Sequence, residues 1–89
     1  MPDDSDIYTI TIGQCLVHED SIVRSYARCL ESEVANSVNE FRDNPKEGII
    51  GILLFSPKKT VKELAEQIRR RLKTLNSEEK VTEQKPENT

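Results

Sequence analysis

Apolar residues recur at Val23, Ala27, Leu30, Val34, Val38 and Phe41, in steps of four, three, four, four and three. Side chains at that interval return to one side of an α-helix, and Tyr26 and Ser37 share the face. Asp20 offers an N-cap ahead of Ser21. Asn44-Pro45 closes the pattern, because the residue before a proline resists helical backbone angles. The stripe predicts a long helix over residues 20–43. A second stripe, Val61, Leu64, Ala65, Ile68, Leu72 and Leu75, predicts another helix. Thr60 and Glu63 stand ahead of it at the spacing of a capping box, in which each side chain accepts from the other residue's free backbone N–H.

Two further stretches carry a different pattern. Residues 7–12, Ile-Tyr-Thr-Ile-Thr-Ile, are rich in β-branched side chains and read as a strand. Gly13-Gln14 and the apolar Cys15-Leu16-Val17 follow. Gly13 is then either a bulge in one long bent strand or the first residue of a tight hairpin turn between two short strands. Residues 48–55, Gly-Ile-Ile-Gly-Ile-Leu-Leu-Phe, are apolar without alternation and short for a helix. They read as a strand buried on both faces, closed by Ser56-Pro57. Residues 1–6 read as a flexible end, 7–75 as a single domain and 76–89 as a disordered polar tail.

The predicted order is strand, helix, strand, helix: an α+β or small α/β fold, with an extra N-terminal hairpin as the variant. Strand–helix–strand units in one sheet are nearly always right-handed parallel crossovers, although an antiparallel pair bridged by the helix also fits. Either way, a two- or three-stranded sheet with Ile49, Ile50, Ile52, Leu53, Leu54 and Phe55 apolar on both faces lacks cover, and its edges invite pairing. A chain of this size also draws little stability from one core. The expectation is therefore a homodimer that completes the sheet, with Ile50, Ile52, Leu54, Val34 and Phe41 as candidate interface residues. The alternative is a monomer whose two helices sandwich the sheet.

Charge changes the picture in one respect. The net charge of −3 hides a segregation: residues 1–47 hold ten acidic and four basic side chains, whereas residues 58–73 hold seven basic and two acidic. Lys58, Lys59, Lys62, Arg69, Arg70 and Lys73 are candidates for contact with anions or nucleic acid. On a helical wheel Lys62, Arg69 and Lys73 form a row beside the apolar stripe. Two readings compete with a phosphate grip. The lysine and arginine stems can simply cover the edge of the stripe, and Glu31, Glu33 and Glu40 of the first helix can pair with the row. Residues 56–59, Ser-Pro-Lys-Lys, resemble a short repeat of histone tails that lies in the DNA minor groove, and they also fit a proline-directed kinase site at Ser56. In this position the string reads first as a strand end, a turn and a helix start.

The remaining chemistry is sparse. Cys15 and Cys29 form no disulfide framework and read as small buried hydrophobes. Cys15-x-x-His18 has the spacing of a ligand or nucleophile–base pair, but in a strand those side chains point to opposite faces, and too few partners remain for a zinc site. No phosphate loop, dinucleotide fingerprint or metalloprotease motif occurs. Gly48-Ile-Ile-Gly51 has the spacing of a KH-module loop but lacks its basic interior, and stacking aromatics for a nucleic-acid-reading sheet are missing. The acidic start is unlike a secretory signal, and the longest apolar run is far short of the ~20 residues a membrane-spanning helix needs. The expected protein is thus a small cytoplasmic interaction module of adaptor or regulatory type, non-catalytic and without cofactor or metal. It works as a homodimer with a further protein partner, through a sheet edge or the seam beside the second helix. The alternative is a nucleic-acid-binding dimer.

Overall fold

The computed structural model describes the backbone of residues 4–88 and the side chains of residues 7–77. The flexible end expected at 1–6 and most of the tail expected at 76–89 lie outside the residues with described side chains. The described residues form five α-helices, α1 Asp4–Thr9, α2 Ile12–Leu16, α3 Ser21–Ser37, α4 Ile50–Leu53 and α5 Lys59–Asn88, with 3₁₀ turns at Asn39–Phe41 and Pro45–Glu47. There is no strand among the described residues. The α+β expectation and its sheet completed by dimerisation are both overturned.

The strand expected at 7–12 is replaced by α1, a short extended link at Ile10-Thr11 and the start of α2. The reason lies in where the isoleucines must go. An extended chain puts Ile7 and Ile12 on opposite faces and buries only one. Two short helices bury both, leaving Ile7 5% and Ile12 0% exposed. Thr11 is the N-cap of α2. Its hydroxyl accepts from the Gln14 N–H at 3.2 Å, while the Gln14 carboxamide oxygen accepts from the Thr11 N–H at 2.9 Å. A reciprocal capping box thus fixes a helix where side-chain propensity alone points to a strand. Gly13 is neither a bulge nor a hairpin turn but an ordinary helical residue of α2.

The strand expected at 48–55 becomes α4 for a related reason. A doubly buried strand needs a layer on each side, and the two long helices, α3 and α5, pack on each other instead. As a helical turn the segment hides Ile50 and Leu53, three residues apart, and leaves Ile52 and Phe55 outward. What remains of the expected pairing is one isolated antiparallel bridge between Thr11 and Ile49. Its backbone hydrogen bonds run from the Ile50 N–H to the Ile10 oxygen at 2.9 Å and from the Ile12 N–H to the Gly48 oxygen at 2.8 Å. At Gly51 the backbone of α1 comes so close that any Cβ would strike the Tyr8 carbonyl.

The two predicted stripes hold. Val23, Ala27, Leu30 and Val34 of α3 face Val61, Ala65, Ile68 and Leu72 of α5 across a closed core that also takes in Cys15. The first helix, however, ends at Ser37 and not at 43. Val38 is extended, at φ −116° and ψ 105°, in the run Asn36-Ser37-Val38-Asn39, four residues that each disfavour a helix interior. Val38 and Phe41 still pack on the core from the 3₁₀ turn beyond. The Thr60–Glu63 capping box does not form. Helix α5 begins at Lys59, two residues before the Val61 start that a Thr60 cap would give, and just ahead of it the Ser56 hydroxyl accepts from the Lys58 N–H at 3.1 Å. No helix among the described residues is long and apolar enough to cross a membrane.

Candidate functional site

The loop ahead of α3 is built around Asp20, which caps α3 by accepting from the Val23 N–H at 3.0 Å, as its position predicts. The same carboxylate also takes both prongs of Arg71, at 3.0 and 3.1 Å, and so ties the start of α3 to the middle of α5. Arg71 holds the Asp20 carboxyl down to about 2, from an ordinary value of 3.8, against a smaller opposing effect of burial. Arg24 closes the loop by donating to the carbonyls of His18 and Glu19 at 2.7 and 2.9 Å. The His18 ring accepts from the Asp20 N–H through Nδ1 at 3.0 Å. That nitrogen is therefore occupied in a structural bond. Cys15 is fully buried in α2, and burial pushes its thiol up to about 11.

The six basic candidates do not form one surface. Lys59, Lys62 and Arg70 line a groove between α3 and α5. Arg69 is half-buried, paired with Glu66 on its own helix, and it reaches Tyr8 of α1. Glu66 holds the Arg69 guanidinium further into its charged form, and Arg69 in turn lowers the Glu66 carboxyl. Lys58 and Lys73 are exposed outside the groove. Of the glutamates considered for cross-helix pairing, Glu33 accepts from the Thr60 hydroxyl at 3.0 Å, and the Asp20–Arg71 contact is an ion pair that joins the start of α3 to α5.

The groove has a volume of about 1180 Å³ and is walled by Arg28, Cys29, Ser32 and Glu33 of α3 against α5 from Lys59 to Arg70. Cys29 is exposed there, so the expectation that both cysteines are buried fails for it. It lies about 200° round the helix from Ala27, well off the apolar stripe.

The five interface candidates divide in the same way. Val34 and Ile50 are core residues with no exposed surface, and Phe41 and Leu54 are partly buried against the core. Only Ile52 is open to a partner, at 52% exposed; beside it stand two residues absent from that expectation, Phe55 at 85% and Tyr8 at 43%. The segments that carry them adjoin: Gly51, next to Ile52, packs on Tyr8, and the Phe55 N–H donates to the Ile52 oxygen at 3.1 Å. Phe55 was legible as the last apolar residue before Ser56-Pro57. Tyr8 was hidden by its assignment to a strand. Among the described residues no group of three or more His, Cys, Asp or Glu side chains converges on a metal-sized site. Comparison with protein-family models, with curated proteins and with solved structures gives no match.

Proposed function

We propose that this chain is a small non-catalytic interaction module of the cytoplasm, working as a pair of identical copies. The observation that carries the reading is the apolar patch of Phe55, Ile52 and Tyr8. The core beneath it is closed, so these side chains gain nothing from their own chain by facing outward. A large aromatic ring left in water loses the stabilisation that burial would give it. A patch that lies across a two-fold axis meets its own copy and covers itself. The original case for pairing, an uncovered sheet, has gone; the present case is narrower and concerns this patch alone. Three side chains fall short of the ~800 Å² per partner of a standard interface, so the pair forms and dissociates with concentration.

The non-catalytic part of the reading draws on the two groups that sequence singled out. A reactive thiol needs a lowered pKa and access to solvent, and Cys15 has the opposite of both. The His18 nitrogen nearest the loop is already engaged. Two unpaired cysteines also suit a reducing compartment.

Sedimentation equilibrium across the micromolar range tests the proposal. The mass should climb from 10.2 kDa toward twice that value as concentration rises. Phe55→Asp should stay at 10.2 kDa throughout with unchanged helix content. A wild-type chain fixed at the monomer mass, or a Phe55→Asp chain that still pairs, contradicts the proposal.

A further inference from the structure

Ser56 is the one serine or threonine of the chain that a proline follows, and a lysine stands three residues beyond it, in Ser56-Pro57-Lys58-Lys59. Each position is of use to a kinase that phosphorylates serine ahead of proline. Pro57 has no backbone N–H to leave unsatisfied in the cleft of such a kinase, and it holds Ser56 away from helical backbone angles. Ser56 accordingly sits in the link between α4 and α5, outside any helix. It is half-buried, whereas Pro57, Lys58 and Lys59 are exposed. Its hydroxyl accepts from the Lys58 N–H at 3.1 Å, a local bond that gives way when the link extends. Lys59 is the first residue of α5, and a helix end opens more readily than its middle. On the other side Ser56 follows Phe55, the most exposed side chain of the apolar patch.

We infer that Ser56 is the phosphoacceptor of a proline-directed kinase that also selects a basic residue, and that its phosphate holds the two copies apart. The inference rests on the pairing proposed above and adds the means of regulating it. In the transfer, Ser56 Oγ bonds to the γ-phosphorus of ATP as the bond from that phosphorus to the β–γ bridging oxygen breaks. ADP leaves, and the hydroxyl proton passes to the carboxylate base of the kinase. The product carries a charge of about −2 on the residue next to Phe55. At the amino end of α5 it meets Lys58, Lys59 and the positive end of the helix, so the fold accepts it. Glu33 keeps its own charge at the Thr60 hydroxyl, against that field, so the phosphate is accommodated without being neutralised. A two-fold pair through Phe55 would bring two such charges to one small interface, where like charges repel and each would have to shed water. Because the pair forms and dissociates with concentration, the kinase meets Ser56 in the separated copy.

The test treats the full chain with ATP, magnesium and a purified cyclin-dependent kinase, an enzyme that selects Ser-Pro followed by a basic residue. Mass spectrometry should place a phosphate on Ser56. Ser56→Ala should take none there, and Pro57→Ala should be phosphorylated about tenfold more slowly. Treated and untreated chains are then compared by sedimentation equilibrium at a concentration where the untreated mass is raised. The phosphorylated chain should fall back close to 10.2 kDa, with pairing weakened about tenfold or more, and a phosphatase should restore it. Helix content by circular dichroism should not change. A kinase that leaves Ser56 untouched overturns the inference, as does a phosphorylated chain that pairs as tightly as before. Loss of helix content on phosphorylation would show the phosphate breaking the fold and also overturns it. An untreated chain that stays monomeric while Ser56 accepts the phosphate contradicts the pairing, and with it the switch, but upholds Ser56 as the acceptor.

Discussion

Gly51 is the residue on which the approach of α1 to α4 turns. Alanine is the better helix former by up to about 1 kcal/mol, so a reading of local propensity alone expects Gly51→Ala to stabilise the protein. The geometry expects the reverse. The new Cβ would lie 3.1 Å from the Tyr8 Cβ and carbonyl carbon and closer still to the carbonyl oxygen, which belongs to backbone and cannot swing aside. Overpacking of that kind outweighs the propensity gain, and urea denaturation should show a net loss of about 1–2 kcal/mol. Asp20 makes a second residue-scale prediction. Its carboxyl ionises at about 2 in the folded chain against an ordinary 3.8. A depressed carboxyl contributes stability that is fully present above the unfolded value and is lost as pH falls through the folded one. Thermal denaturation of the wild type should therefore lose midpoint between about pH 4 and 2. Asp20→Asn should start lower at neutral pH and change less over that window. A wild-type midpoint that is flat there would show that the Arg71 contact adds nothing.

At the scale of elements, the two capping boxes teach the same lesson from opposite sides. Thr60-x-x-Glu63 has the stronger sequence signal, since an apolar helical stripe follows it at once, yet it does not form because α5 starts two residues earlier than a Thr60 cap requires. Thr11-x-x-Gln14 forms in full, but it sits inside a run of β-branched residues that outvoted it. Substituting Thr11 by alanine should cost about 1 kcal/mol, with faster hydrogen exchange at the α2 amides. Both long helices were legible because a stripe over several turns is a long, redundant signal. The short helices were not: four to six residues give too few repeats to separate one period from another. In such segments tertiary burial decides, as with Ile7 and Ile12, or Ile50 and Leu53. The end of α3 at Ser37 was legible in the poor helix formers that follow, but the continuing stripe to Phe41 masked it.

For the molecule as a whole, the sequence displayed its charge segregation and its concentrated apolar run at 48–55, and both have physical consequences here. Their arrangement was hidden. The apolar run of 48–55 was counted as surplus because it was given to a sheet, and Ile50 and Leu53 turn inward once it coils, with Leu54 partly covered. The basic run of 58–73 showed one row, Lys62, Arg69 and Lys73, on a helical wheel, whereas Asp20, Glu66 and the groove divide the run three ways. The Asp20–Arg71 contact spans 51 residues, and no local pattern encodes a pair so distant. What survives of the partner argument is the small patch at Phe55, and its pairing is open to direct observation. A sample mixed from isotope-labelled and unlabelled chains, at a concentration where the mass is raised, reports only contacts between copies in a filtered nuclear Overhauser experiment. The account predicts cross-peaks from the Phe55 ring to the Ile52 methyls and the Tyr8 ring of the other copy. Cross-peaks centred instead on Cys29 and Leu64, or none at all, would contradict it.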